Sequence, residues 1–336
     1  MTETLLDVPG AQLCAETFGD PADPAILLIG GAASAMDWWH EDFCRALADG
    51  DAALPAEPAG TADPARHPGA SGRFVIRYDH RDTGRSRTDP PGAPSYGGDD
   101  LALDPVRVLD ALGIGRAHLV GVSMGGGIAQ QVAIEHPDRV ASLTLMSTSP
   151  LTPGAPGQGA DAAELAALPG PSAEVRAMFD SPPPDPDWGD PEAVVRYLAE
   201  AERAFAGTGY DEAASVATAR QVVERSIDPA AAANHHLVEG SPVRGTLADV
   251  DVPTLVLHGE ADPLFPPEHG VALAAAVWGA RLVLLSGVGH QYPPRIAWGV
   301  VVPEILAVTR PPVTEPGAAP RNGPAVPAAP TTTASP

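Results

Sequence analysis

The stretch Gly121-Val122-Ser123-Met124-Gly125 follows the apolar run Ala117-His118-Leu119-Val120 and precedes the helix-like residues Ile128 to His136. A serine with glycine two positions to either side, set between a strand and a helix, marks a sharp turn. Neighbours without bulky side chains are needed where backbone segments come so close. The turn lifts the hydroxyl clear of the sheet, and the positive end of the following helix favours negative charge developing beside it. A chain with 35 glycines meets such a pattern by chance now and then, so the surrounding elements must decide its meaning.

Those elements alternate. Ile26 to Ile29, Phe74 to Ile76, Leu119 to Val122 and Leu143 to Met146 are short, continuously apolar runs, as are Thr254 to Leu257 and Arg281 to Leu285 apart from the arginine. Continuous runs suit strands covered on both faces, which makes the expected sheet mostly parallel and the fold class α/β, with helices flanking the sheet. Residues 2 to 18 read as a hairpin. After Pro150 the pattern becomes proline-rich and then helical as far as about Leu247, where Asp190-Pro191 and Asp228-Pro229 give a capping residue followed by proline.

A serine hydroxyl needs a base to take its proton, and the base needs a third group to orient it. Both have candidates downstream. The run from Thr254 leads into His258-Gly259-Glu260-Ala261-Asp262-Pro263, and the run from Arg281 leads into Gly287-Val288-Gly289-His290. In the order serine, acid, histidine, Asp262 is assigned as the acid and His290 as the base, with Glu260 the competing acid.

The serine turn, Gly19-Asp20-Pro21-Ala22-Asp23-Pro24-Ala25 and Ile76-Arg77-Tyr78-Asp79-His80-Arg81-Asp82-Thr83-Gly84-Arg85-Ser86 together resemble the α/β-hydrolase fold. The resemblance runs from Ala11 to about Thr309 and is strongest to serine esterases related to aclacinomycin methylesterase. Many members carry Arg-Gly-x-Gly-x-Ser after the fourth strand, whereas here Asp82 and Thr83 replace the first glycine and its neighbour. The resemblance implies a core in two parts, residues 1–149 and 248–310, with a helical cap at 150–247 over the serine. It also favours Asp262 over Glu260, because Asp262 completes the fold's His-Gly-x-x-Asp pattern. It further implies an oxyanion hole made by the backbone N–H of Met124 and one from the loop Gly30-Gly31-Ala32-Ala33-Ser34. Ala32 is favoured there and Gly31 is its rival. Relatives of this group demethylate the carboxylate ester of an aromatic polyketide. The expected reaction is therefore cleavage of a methyl ester of a bulky hydrophobic acid through an acyl-enzyme.

Met36, Trp38, Trp39, Phe265 and Tyr292 lie near the expected mouth as pocket candidates, with ordinary core packing the competing reading of each. Met178, Phe179, Trp188, Tyr197, Phe205 and Tyr210 offer apolar walls from the cap. His258 is expected to steady the loop carrying the acid. His235 and His236 are expected on a cap helix, on a solvated face or touching substrate.

Composition narrows the partners. The net charge is −23 and every basic residue is arginine, which argues against nucleic acid or an anionic membrane; the partner expected from the resemblance is a small-molecule hydrophobic ester. No basic leader followed by an apolar segment appears and no run reaches spanning length, so a cytoplasmic location is expected. No spacing resembles a zinc signature, neither metal nor cofactor is expected, and Cys14 and Cys44 read as buried apolar residues. Residues 51–72 and 311–336, rich in Ala and Pro, are expected to be disordered. A perhydrolase of the cofactor-free haloperoxidase type and a carbon–carbon or enol-lactone hydrolase would share the same machinery. A non-catalytic ligand-binding protein on this fold is the reading from another class.

Overall fold

The computed structural model describes residues 3–50, 72–151 and 167–310. Apart from Gly72, the two stretches expected to be disordered lie outside the described residues. The strands are β1 (Thr4–Val8), β2 (Ala11–Phe18), β3 (Ala25–Ile29), β4 (Phe74–Tyr78), β5 (Ala117–Val122), β6 (Val140–Met146), β7 (Thr254–Gly259) and β8 (Arg281–Leu285). They form one eight-stranded sheet in the order β1-β2-β4-β3-β5-β6-β7-β8. The β1–β2 hairpin is antiparallel and joins β4 antiparallel, while every pair from β4 to β8 is parallel.

Period-two alternation explains the continuous apolar runs. In β3, Leu27 and Ile29 enter the layer shared with α2 (Gly98–Ala111), α3 (Met124–Glu135) and α7 (Pro267–Ala276). Ile26 and Leu28 enter the opposite layer, with Phe43 and Leu47 of α1 (Glu41–Asp49) and Val301 and Ile305 of α8 (Trp298–Val308). Each side chain in such a strand meets a helix, so no position is left for a polar residue facing water. β8 departs from the expected buried strand. Leu284 is 41% exposed and only Leu285 is buried, because β8 is the last strand and has β7 as its one neighbour.

The helices that follow β3 and β5 leave toward opposite faces, α1 to one layer and α3 to the other. A crevice therefore opens between the carboxyl ends of these adjacent strands, the usual place for a site in an open α/β sheet. The loop Gly30–Ser34 and Ser123 both lie at that crevice.

Between β6 and β7 the chain leaves the sheet and forms α4 (Ala173–Asp180), α5 (Pro191–Phe205), α6 (Glu212–Arg225) and a 3-10 helix, Pro229–His236. Asp190 caps α5 with its side chain on the Glu192 N–H, and Pro191 occupies the first helical position, where no N–H is missed. Asp228-Pro229 starts the 3-10 helix in the same way rather than an α-helix. Val195 and Ala199 of α5 pack on Ala219 of α6 and on Trp38 of the core.

Candidate active site

Ser123 is the N-cap of α3 and adopts φ 52°, ψ −119°, a conformation that a residue with a Cβ enters only under constraint. The constraint is visible. The Ser123 N–H donates to the Met146 carbonyl, and the Ser123 carbonyl accepts from the Thr148 hydroxyl at 2.9 Å. The flanking glycines are required by contact: a Cβ on Gly121 would stand 2.2 Å from the Gly125 carbonyl oxygen, and one on Gly125 would stand 2.3 Å from that of Ile29. Backbone has no rotamer with which to move aside.

The His290 Nε2 lies 2.9 Å from the Ser123 Oγ, and its Nδ1 lies 3.0 Å from the Asp262 Oδ2. An ionised carboxylate only accepts, so Nδ1 carries the proton. Nε2 then offers its lone pair to the serine hydroxyl. The Asp262 side chain is wholly buried, and its Oδ1 accepts the backbone N–H groups of Leu264 and Phe265 at 2.9 and 2.8 Å. Glu260 is exposed. The His258 Nε2 donates to the Phe265 carbonyl at 2.8 Å and stands 3.8 Å from the Asp262 Oδ2, while burial pulls its pKa down. It braces the loop that carries the acid. His290 is strapped down as well: its N–H donates to the Phe205 carbonyl at the end of α5, and the Gly207 N–H donates to the Gln291 side chain.

The Gly30–Ser34 loop approaches Ser123 closely enough that a Cβ on Gly31 would lie 3.6 Å from the serine Cβ. The Gly31 N–H donates to the Tyr292 hydroxyl at 2.8 Å and the Ala33 N–H donates to the His235 Nδ1 at 2.9 Å. Among the described residues, nothing accepts from the N–H of Ala32 or of Met124.

The pocket candidates divide. Met36 and Trp39 are each 1% exposed and turn into the core, where Trp39 stacks on Phe43, so they are corrected from pocket wall to core packing. Met36 opens the short helix Met36–Trp38 and Trp39 caps its end, where its ring lies between Phe43 of α1 and Tyr292. Trp38, Phe265 and Tyr292 keep partial exposure. The Phe265 and Phe205 rings stand 5.4 and 6.0 Å from that of His290, and Phe179, 56% exposed, stands 6.4 Å from Phe205. By contrast Trp188 packs on Tyr197, and the Tyr210 hydroxyl donates to the Ala199 carbonyl within the inserted segment.

The arginines of β4 and the loop after it at positions 77, 81 and 85 are all paired. Arg77 is paired with Glu16 and Arg81 with Asp104, both in buried ion pairs, while exposed Arg85 pairs with Glu3. Among the described residues no group of three or more His, Cys, Asp or Glu side chains is placed to hold a metal ion, and no helix is long and apolar enough to cross a membrane. Cys14 and Cys44 are buried and unpaired, and burial pushes both thiols up to about 12.

Residues 24–291 match the model of the alpha/beta hydrolase fold family. The chain belongs to that family. Two rhodomycin D methylesterases, from Streptomyces sp. (strain C5) and Streptomyces peucetius, are each 32% identical over 84% of this chain and 89% of their own length. With methylesterases matching over nearly the whole chain, this α/β-hydrolase stands among the carboxylic ester hydrolases. Among solved structures it is similar in fold to an esterase from Rhodococcus sp. ECU1013, with a TM-score of 0.62 and 22% identity over 92% of this chain and 100% of that one. An enol-lactonase from Burkholderia xenovorans LB400 gives a TM-score of 0.60 at 23% identity over 90% and 100%.

In this hydrolase Asp82 has a local role. Asp82 holds φ 63°, and its carboxylate gathers the Asp89 N–H, the Tyr96 hydroxyl and the Asn234 side-chain amide. Asp tolerates the left-handed region better than most residues, and three donors hold it there. Sequence reasoning passed over Asn234 and Arg225. Arg225, at the end of α6, pairs with Asp37, Asp79 and Glu3 and so ties the inserted segment to the core. Asp79 also accepts the Met36 N–H at 2.8 Å. An arginine at the end of an amphipathic helix carries no linear signal for partners so far away in sequence. His235 is also corrected: it is 6% exposed and wedged beneath the core loops, and only His236 is exposed.

Proposed function

We propose that this carboxylic ester hydrolase cleaves a methyl ester of a bulky, apolar or aromatic acid through an acyl-enzyme on Ser123. The observation that carries the reading is the continuous hydrogen-bonded line Ser123–His290–Asp262 with two unused backbone donors, Ala32 and Met124, beside it. The Ser123 Oγ attacks the ester carbonyl as the His290 Nε2 takes its proton. The carbonyl oxygen, now an oxyanion, is held by the N–H groups of Ala32 and Met124, since that of Gly31 is already committed to Tyr292. Asp262 keeps the imidazole in the productive tautomer and stabilises the imidazolium. The proton passes to the departing methoxide and methanol leaves. Water then attacks the acyl-enzyme, its proton going to His290, and the acid is released with Ser123 restored.

The helices of residues 150–247 act as a cap in this reading. Phe179, Phe205 and Phe265 form an aromatic wall beside the base and suit a flat apolar acyl group. The methylesterase relatives support the small alcohol. The arginines nearest the site are already paired, which disfavours an anionic substrate. A panel of methyl esters from acetate to polycyclic aromatic acids tests both halves by kcat/KM, with Ser123→Ala as the control. We expect the specificity constant to rise with aromatic area, and the Ser123→Ala variant to lose on the order of 10⁶-fold in turnover. A preference for acetate, or for long-chain alcohol esters, refutes the substrate reading. An active Ser123→Ala enzyme refutes the mechanism.

A further inference from the structure

The loop Gly30–Ser34 is held from outside the sheet. His80 places its Nε2 3.1 Å from the Gly30 carbonyl, and the Tyr292 hydroxyl takes the Gly31 N–H. The third hold comes from the inserted segment: His235, on the 3-10 helix Pro229–His236, accepts the Ala33 N–H on its Nδ1 at 2.9 Å. Its Nε2 lies 2.7 Å from the Arg81 carbonyl oxygen. A carbonyl only accepts, so Nε2 carries the proton and Nδ1 keeps a lone pair for Ala33. Burial, followed by neighbouring His80, brings the pKa of His235 down to about 3, which keeps the ring neutral and Nδ1 an acceptor across the working range. The ring stands edge-on to His80 at 5.7 Å, so the two imidazoles brace one another under the loop.

Ala33 is the strained residue of this loop. At φ 55° it sits in the left-handed region, which an alanine leaves unless something opposes the return. The hydrogen bond to His235 opposes it. A rotation that returned Ala33 to the right-handed or extended regions would take its N–H off the imidazole and swing the preceding peptides, including the Ala32 N–H.

We propose that His235 is a positioning residue for the reaction: by capturing the Ala33 N–H it holds the Ala32 N–H in the direction required by the oxyanion, so that the inserted segment completes the oxyanion hole. This rests on the acyl-transfer reading above. It gives the segment a part in transition-state binding beyond covering the substrate. His235 itself touches neither substrate nor oxyanion.

Two polar substitutions separate its two hydrogen bonds. His235→Asn keeps an acceptor at the place of Nδ1 and gives up the donor to Arg81. His235→Gln keeps a donor at the place of Nε2 and gives up the acceptor for Ala33. With a neutral aromatic methyl ester, we expect the Asn variant to hold kcat within about 3-fold of the wild type. The Gln variant should lose about 10- to 100-fold in kcat with KM nearly unchanged, somewhat short of the roughly 10²–10³-fold that follows deletion of an oxyanion donor. A trifluoromethyl ketone that forms a tetrahedral adduct on Ser123 should lose affinity in the Gln variant in proportion to kcat/KM. Equal losses in both variants, or unchanged kcat in the Gln variant, overturn the proposal. If the wild type shows no Ser123-dependent hydrolysis at all, the acyl-transfer reading fails first and this proposal with it.

Discussion

Replacing Asp262 by asparagine tests the acid through a consequence of its own hydrogen bonds. The Asp262 Oδ1 accepts two backbone N–H groups, from Leu264 and Phe265, and its Oδ2 accepts the His290 Nδ1–H. An asparagine amide must choose. Turning its NH₂ toward Leu264 and Phe265 would set donor against two buried donors, at about 1–3 kcal/mol for each one left unsatisfied. The carbonyl oxygen therefore stays with the backbone and the NH₂ faces His290. An NH₂ can only donate, so the His290 Nδ1 becomes the acceptor and the proton moves to Nε2. That nitrogen then points a hydrogen at the Ser123 Oγ and cannot take the hydroxyl proton. The geometry is otherwise preserved, so the effect falls on kcat, by about 10⁴-fold, equivalent to about 5.5 kcal/mol of barrier. Steady-state hydrolysis of an aromatic methyl ester measures it, with thermal unfolding to confirm that the variant folds and Glu260→Gln as the control. Glu260 is exposed, so its variant should stay within a few-fold of the wild type. A loss below about 10²-fold in Asp262→Asn, or an equal loss in Glu260→Gln, would refute the reasoning.

Two further predictions concern buried charge. Arg225 is 10% exposed and is paired with Asp37 and Asp79, whose side chains are wholly buried, so Arg225→Met should reduce stability to urea by about 3–5 kcal/mol. Burial already raises the Asp37 pKa, so the variant can relieve itself by taking up a proton there. The deficit should shrink as pH falls, and a deficit indifferent to pH would contradict the assignment. Glu202, near the end of α5, makes no hydrogen bond or ion pair among the described residues, and burial raises its pKa from 4.5 to about 7. A carboxyl with a raised folded pKa favours the folded state below its unfolded value, and that advantage is lost as pH rises from about 4.5 through 7. The shift corresponds to roughly 3 kcal/mol at most, and partial exposure reduces it to about 1–2. Thermal unfolding at pH 5.5 and 8.5 should therefore differ less in Glu202→Gln than in the wild type, and an equal difference in both would refute the assignment.

The residues with short-range signatures were legible in the chain. The glycine two positions before Ser123 announces a turn because its backbone touches that of Gly125, four residues on, whereas the need for glycine at 125 comes from the distant Ile29 carbonyl. The strands β3 to β7 could be read as central because a strand covered by helices on both faces has no position facing water, and few polar residues interrupt its apolar run. Asp262 and His290 were assigned because each follows an apolar run, although the run before His290 is the edge strand β8. Where the reading slipped, the missing information was which neighbours lay across space. Met36 and Trp39 have the composition of a pocket wall and the environment of a core, and β8 has the composition of a central strand and the place of an edge.

Sequence by itself therefore determined the parallel α/β sheet, the turn carrying the serine and the residue types aligned with it, because those depend on periodicity and on contacts within a few residues. Tertiary structure alone decided how the Gly30–Ser34 loop is held. The Ala33 N–H meets an imidazole 202 positions away, the Gly31 N–H meets a hydroxyl 261 positions away, and Arg225 meets Asp79 across 146. Such pairs follow no spacing rule. They exist because most buried donors and charges of a folded chain are paired with whatever acceptor the topology delivers.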